Sequence, residues 1–198
     1  GDGDDGIDAD NDGSGALSIT TTGTTTGGDD GIIARNDGTN LTIIAVNTYG
    51  GEYTEDDIEA DKDGIDAYNY GSGALSITTT GKTTGGDDGI DADNFGTDLT
   101  INAVTTTGKR DGIFAQNYGS GALSITTTGK TTGTKGDGIY AYNSSESTGD
   151  LTIITAETSG GIATEVFGGD NGIYAWDRGI GDLNITTSGT TTGENGDG

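Results

Sequence analysis

The amino-acid sequence predicts an all-β fold, a right-handed parallel β-helix (β-solenoid) of about seven to eight rungs, each 23–34 residues long. Two recurring phrases and their alternation carry this prediction. The first is Gly-Ile-x-Ala-x-Asn, starting at Gly6, Gly31, Gly64, Gly89, Gly112 and Gly138, and again at Gly172 with Asp177 in the Asn position. The second is Leu-x-Ile, starting at Leu17, Leu41, Leu75, Leu99, Leu123, Leu151 and Leu183. Both phrases alternate with period two, the period of a strand, and no segment carries helical periodicity.

Composition alone points elsewhere. Hydrophobic residues make up 29% of the chain and the net charge is −25, which together are the signature of a disordered chain. The repeat overrides that signature, because each unit is one supersecondary element whose neighbours can cover it. The seven units span residues 1–198, and they are expected to form a single solenoid domain.

In the first element, Ile7, Ala9 and Asn11 share one face while Asp8 and Asp10 share the other. In the second, Leu17, Ile19 and Thr21 oppose Ser18 and Thr20. A third, weaker strand is expected in GTTTG from Gly23 and Gly189 and in GKTTG from Gly81 and Gly129. Thr and Ile suit strands, and Gly-rich breaks follow each phrase. Such short strands cannot bury a face alone, but stacked units pair them in parallel. The crossover rule makes the coil right-handed, about 37 Å long at roughly 4.8 Å per rung.

The expected interior is an Ile column (Ile7 to Ile173) facing a Leu/Ile column (Leu17 to Leu183, Ile19 to Ile185), with a Thr-rich third wall. Asn11, Asn36, Asn69, Asn94, Asn117 and Asn143, then Asp177, are expected to stack as a ladder of side-chain amides. The units alternate in type, which suggests a duplicated two-rung cassette. Their open ends suggest a slice of a longer solenoid. Units two and six carry extra residues: TYGGEYTEDDIEADK from Thr48 and TSGGIATEVFGGD from Thr158. The two segments read alike and are expected on one side of the coil, where loops on a rigid scaffold carry function.

The repeat phrases resemble those in passenger regions of bacterial autotransporter proteins. The residues that match are GDGIYAYN from Gly136, LSITTTG from Leu75 and Leu123, and LNITTSGTTTG from Leu183. The resemblance covers all seven units. It implies a β-helical stalk displayed outside the cell or on the bacterial surface, serving adhesion, self-association or display of an effector. The route of export is an inference from the resemblance, which brings no catalytic motif.

The most chemical feature is an acidic column. Asp5, Asp30, Asp63, Asp88, Asp111 and Asp137 each precede the Gly that opens a unit, and Asn171 completes the series. They are expected to face outward, about 4.8 Å apart. Two unit charges at that separation repel by about 0.9 kcal/mol in water and by more near a protein surface. Relief can come from backbone N–H groups of Asp-Gly turns, or from Ca²⁺ bridging successive carboxylates, so these six aspartates are the candidate metal ligands. Asp8, Asp10, Asp12 and Gly13 spell the start of a calcium loop, but the twelfth position is Ile19 rather than Glu. Arg35 interrupts the outward aspartates and is expected to pair with Asp10.

Outward positions of the first strand turn aromatic in the later units: Phe114, Tyr140, Tyr142, Tyr174 and Trp176. They are the candidate partner-binding residues, since aromatic faces suit sugar rings and proteins alike, and they can also simply stack across strands. Tyr70, Phe95 and Tyr118, just after the Asn column, are expected to stack at the turn.

Other functions are disfavoured. Without Cys or His there is no disulfide, no Cys/His zinc site and no His-based triad. A charge of −25 opposes nucleic acid and anionic membranes. Eight scattered basic residues cannot hold an anionic polysaccharide, and no carboxylate pair stands out as acid and base. Ice binding wants an unbroken Thr array, yet Ile44, Asn102 and Ile154 interrupt the outward column of the second strand. The expectation is a non-enzymatic, extracellular stalk or adhesin segment. Its partner would be a host or neighbouring-cell surface protein or glycan, or further copies stacked end to end into a filament, with no direct membrane insertion.

Overall fold

The computed structural model describes residues 4–52, 62–157, 164–196 and 198. Every regular element among them is a strand, and the strands form three parallel sheets of seven. The first sheet holds Ile7–Asn11, Ile32–Asn36, Ile65–Asn69, Ile90–Asn94, Ile113–Asn117, Ile139–Asn143 and Ile173–Asp177. The second holds Leu17–Thr20, Leu41–Ala45, Leu75–Thr79, Leu99–Ala103, Leu123–Thr127, Leu151–Thr155 and Leu183–Thr187. The third holds Thr24–Thr26, Asn47–Tyr49, Lys82–Thr84, Thr105–Gly108, Lys130–Gly133, Glu165–Gly168 and Thr190–Gly193. Each unit contributes one strand to each sheet, in chain order, as in a parallel β-helix.

The register follows the repeat. Ile90 pairs with Ile65 and Ile113, Ala92 with Ala67 and Ala115, and Leu99 with Leu75 and Leu123. A slip of one residue would turn every inward side chain out, so the alternating phrases hold the register themselves. The inward Ile and Leu residues of the inner rungs are fully buried. The third wall is indeed polar: Thr48, Thr83, Thr106 and Thr131 are buried, and their hydroxyls pair between rungs (Thr48 to Thr83 at 3.2 Å, Thr106 to Thr131 at 3.3 Å). Val166 replaces Thr in the sixth rung.

The amide ladder runs through the described rungs in one direction. Asn11 Nδ2 donates to Asn36 Oδ1 at 2.6 Å, and Asn36, Asn69, Asn94 and Asn117 each donate to the next at 2.7–3.1 Å. Asn143 Nδ2 completes it, donating to Asp177 Oδ1 at 3.2 Å. The second amide hydrogen of each residue closes its own turn, as from Asn94 to the Thr97 carbonyl at 3.0 Å. The Gly that opens each phrase has a steric reason: a Cβ on Gly89 would lie 2.5 Å from the Gly112 carbonyl oxygen.

The described residues that flank the two long insertions lie at different corners of the coil. In unit two the extra residues follow the third strand, Asn47–Tyr49, and precede Gly64. In unit six they precede the third strand, Glu165–Gly168. The Thr54-Glu55 pair lies outside the described residues. Glu165 is a strand residue in register with Lys130, with Nζ and Oε2 3.3 Å apart. The similarity of the two segments in sequence therefore does not extend to the strands that flank them.

Candidate functional site

The acidic column lies at the corner between the third and first sheets, and it does not face outward as expected. Asp30, Asp63, Asp88 and Asp111 are buried. Each carboxylate turns along the coil axis and accepts the backbone N–H of its counterpart one rung on. Asp5 Oδ1 accepts from Asp30 at 3.0 Å, Asp30 from Asp63 at 2.6 Å, Asp63 from Asp88 at 2.7 Å, and Asp88 from Asp111 at 2.7 Å. Asp111 Oδ1 accepts from the Asp137 N–H, and Asp137 Oδ1 takes both the backbone and the side-chain N–H of Asn171 at 2.9 Å. The donor belongs to the next rung, not to the residue's own turn, so the column is a second inter-rung ladder beside the amide one.

Burial makes Asp63, Asp88 and Asp111 hard to ionise. Asp63 is pushed up to about 10, first by loss of solvent and then by the charges of Asp88 and Asp91. Asp91, on the strand beside it, rises to about 9 for the same first reason, with Asp93 and Asp66 adding to it. Asp88 reaches only about 7, because Arg110 opposes its burial. Arg110 holds three carboxylates: Asp88 through Nε at 3.1 Å and through a second short contact, Asp87 at 3.3 Å and Asp111 at 3.5 Å. Lys62 Nζ lies 3.8 Å from Asp29 at the same corner. These basic residues are not scattered but gathered along the carboxylate ladder. Arg35 does pair with Asp10, at 3.9 Å.

Of the candidate metal ligands, Asp63 and Asp88 lie within clusters close enough to share a cation. Oxygens of Asp63, Asp66 and Asp91 lie within 4.8 Å of one another, as do oxygens of Asp63, Asp87 and Asp88. Both clusters draw on aspartates outside the column, which the reading of successive column members had not named. Asp5, Asp30, Asp111 and Asp137 take part in the ladder as hydrogen-bond acceptors.

The aromatic residues form two rows on the outward face of the first sheet. One row is Phe114, Tyr140 and Tyr174, with ring centroids 4.7 and 5.3 Å apart and planes within 19°. The other begins at the turn with Tyr70, Phe95 and Tyr118, stacked at 5.1 and 4.9 Å. It then crosses onto the strand: Tyr118 meets Tyr142 at 5.6 Å, and Tyr142 meets Trp176 at 5.5 Å. Sequence reasoning treated the turn rings and the strand rings separately, because spacing along the chain does not show that a turn residue leans onto the next rung's strand. Tyr174 and Trp176 are 40% and 48% exposed, whereas Phe114, Tyr140 and Tyr142 are half-buried by their neighbours.

Ile44 and Ile154 project from the second sheet, exposed at the positions where the hydroxyl column breaks. Comparison with known proteins finds no matching family model, no matching curated protein and no matching solved structure.

Proposed function

We propose that this chain is a non-enzymatic, extracellular β-helical stalk or adhesin segment of a secreted or surface-displayed bacterial protein. Its contact surface is the aromatic face of the first sheet, meeting a surface protein or glycan of a host or neighbouring cell. One observation carries this reading: two rows of rings run side by side along consecutive rungs on the outward face of the first sheet. A protein that needs these rings only as internal filling has no reason to place them on the solvent side of a sheet whose other side is already a closed core. Three carboxylates with raised proton affinity, Asp63, Asp88 and Asp111, accept inter-rung hydrogen bonds rather than aim into a cleft, which supports a scaffold over a catalyst.

The test is adhesion. Beads coated with the chain are expected to bind cell surfaces or immobilised surface extracts above beads coated with an equally acidic globular protein. Equal retention of the two bead types across all surfaces would sink the proposal.

A further inference from the structure

Along the row from Tyr70 to Tyr118 the rings stack nearly parallel, within 20°, and each covers its neighbour's face. The pattern breaks at Tyr142, whose plane is turned 56° from Tyr118 and 67° from Trp176. There a groove of about 220 Å³ opens, lined by Gln116, Tyr118, Tyr140, Tyr142, Trp176 and Arg178. A tilted ring leaves part of its face uncovered for something other than another ring. The rim offers polar atoms: the Tyr118 hydroxyl donates to Gln116 Oε1, and the Arg178 guanidinium stands 5.6 Å from the Trp176 ring.

We infer that this groove is a saccharide subsite for an uncharged sugar, seated against Tyr142 and Trp176 and hydrogen-bonded by Gln116 and Tyr118. The inference rests on the adhesive reading of this face and names the class of ligand. A sugar ring presents an apolar face ringed by hydroxyls, which is the complement of aromatic walls with an amide and hydroxyl rim. Charge selects among sugars. Asp93 lies one rung from Gln116 in register, Asp177 follows Trp176, and the chain carries −25 overall. The field of Asp93 reaches the site, since it helps hold the Tyr118 hydroxyl above its usual pKa after burial. One guanidinium lying against a ring does not offset that field, so uronic or sialylated sugars are repelled and neutral ones are not.

Trp176 is the only tryptophan in the chain, so its fluorescence reports on this groove alone. The titration uses cellohexaose, maltohexaose, mannohexaose and N-acetylchitohexaose as neutral probes, hexagalacturonate as the anionic probe, and a Tyr- and Pro-rich peptide as the protein-like probe. A saturable change with at least one neutral probe is expected. Tyr142→Ala should weaken it about tenfold and Gln116→Ala about threefold, while Ile44→Ala, exposed on the outward face of the second sheet, leaves it unchanged. Circular dichroism melting of each variant separates lost binding from lost fold. Calorimetric titration of Trp176→Phe checks the site without the reporter.

The inference falls if no neutral probe gives a saturable change, if only hexagalacturonate or the peptide does, or if folded Tyr142→Ala and Gln116→Ala bind like the parent chain. Bead adhesion that depends on the aromatic face but without neutral-sugar binding would leave the adhesin reading standing and overturn the saccharide subsite. Neutral-sugar binding without bead adhesion would do the reverse.

Discussion

Asp63 Oδ1 accepts the backbone N–H of Asp88 at 2.7 Å, and the two side chains, 2% and 0% exposed, sit one above the other in the middle of the coil. A column of stacked carboxylates would be expected to repel itself apart. Here burial raises the proton affinity of both carboxylates, and Arg110 pairs with Asp88.

That arrangement sets the pH dependence of stability. Asp63, Asp91, Asp88, Asp93 and Asp111 stand at about 10, 9, 7, 6 and 6 in the folded chain. Unfolded, each returns to about 3.9. Between those values the folded state holds more protons, so stability is fullest below pH 4 and declines as pH rises through 6, 7 and beyond. The melting midpoint is expected to be higher at pH 5 than at pH 8 by at least about 5 °C, or roughly 1.5–2.5 kcal/mol for a chain of this size. Asp63→Asn keeps an Oδ1 acceptor and removes the charge, and the column already holds an amide at Asn171, which donates to Asp137. It should raise the pH 8 midpoint and shrink the difference between the two pH values. A lower midpoint at pH 8 would show that Asp63 is ionised and needed so.

Calcium offers a different route to the same relief, and melting separates the two. If protons and N–H donors suffice, millimolar Ca²⁺ at pH 8 will shift the midpoint no more than an ionic-strength-matched NaCl control. A calcium-specific rise that disappears in Asp66→Asn would instead place an ion among Asp63, Asp66 and Asp91.

The amide ladder should be costly to interrupt. Asn94 accepts from Asn69 at 2.8 Å and donates to Asn117 at 2.8 Å and to the Thr97 carbonyl at 3.0 Å, with the three Asn residues at zero exposure. Asn94→Leu matches its volume but removes every one of those bonds. A loss of about 2–4 kcal/mol is expected from the polar groups left unpaired, read as a midpoint lowered by about 5–15 °C. A midpoint within 2 °C of the parent would mean that the ladder contributes little.

Glycine positions divide by what surrounds them. Gly89→Ala places a methyl 2.5 Å from a carbonyl of the next rung and should cost at least about 2 kcal/mol in a denaturant melt. Gly15→Ala meets nothing within 4 Å and should change stability by no more than about 0.5 kcal/mol. Equal costs at the two sites would contradict the rung spacing.

What could be read from the residues follows from where period two holds. Ile90, Ala92 and Asn94 alternate inside a strand, so their inward direction was legible, and so was the pairing of Arg35 with Asp10 across two strands. Asp88 lies just before the strand, next to a Gly, where alternation no longer tells inside from outside. Its burial was therefore missed. Arg110 has Asp111 as its one acidic neighbour in the chain. Its contacts with Asp87 and Asp88 exist because one rung lies on another, and residue types in one dimension do not show that. The tilt of Tyr142 was hidden for the same reason, since it depends on how the Tyr118 turn overlies the next strand.

The most direct measurement compares two variants of equal fold in the bead assay. One carries Tyr140→Ser, Tyr142→Ser and Tyr174→Ser on the first sheet, and the other carries Ile44→Ser, Thr126→Ser and Ile154→Ser on the outward face of the second. A scaffold whose working surface is the aromatic face predicts adhesion reduced at least about fivefold by the first set, and unchanged by the second. Adhesion that survives the first set and is lost with the second would contradict it, and would move the contact surface to the opposite wall of the coil.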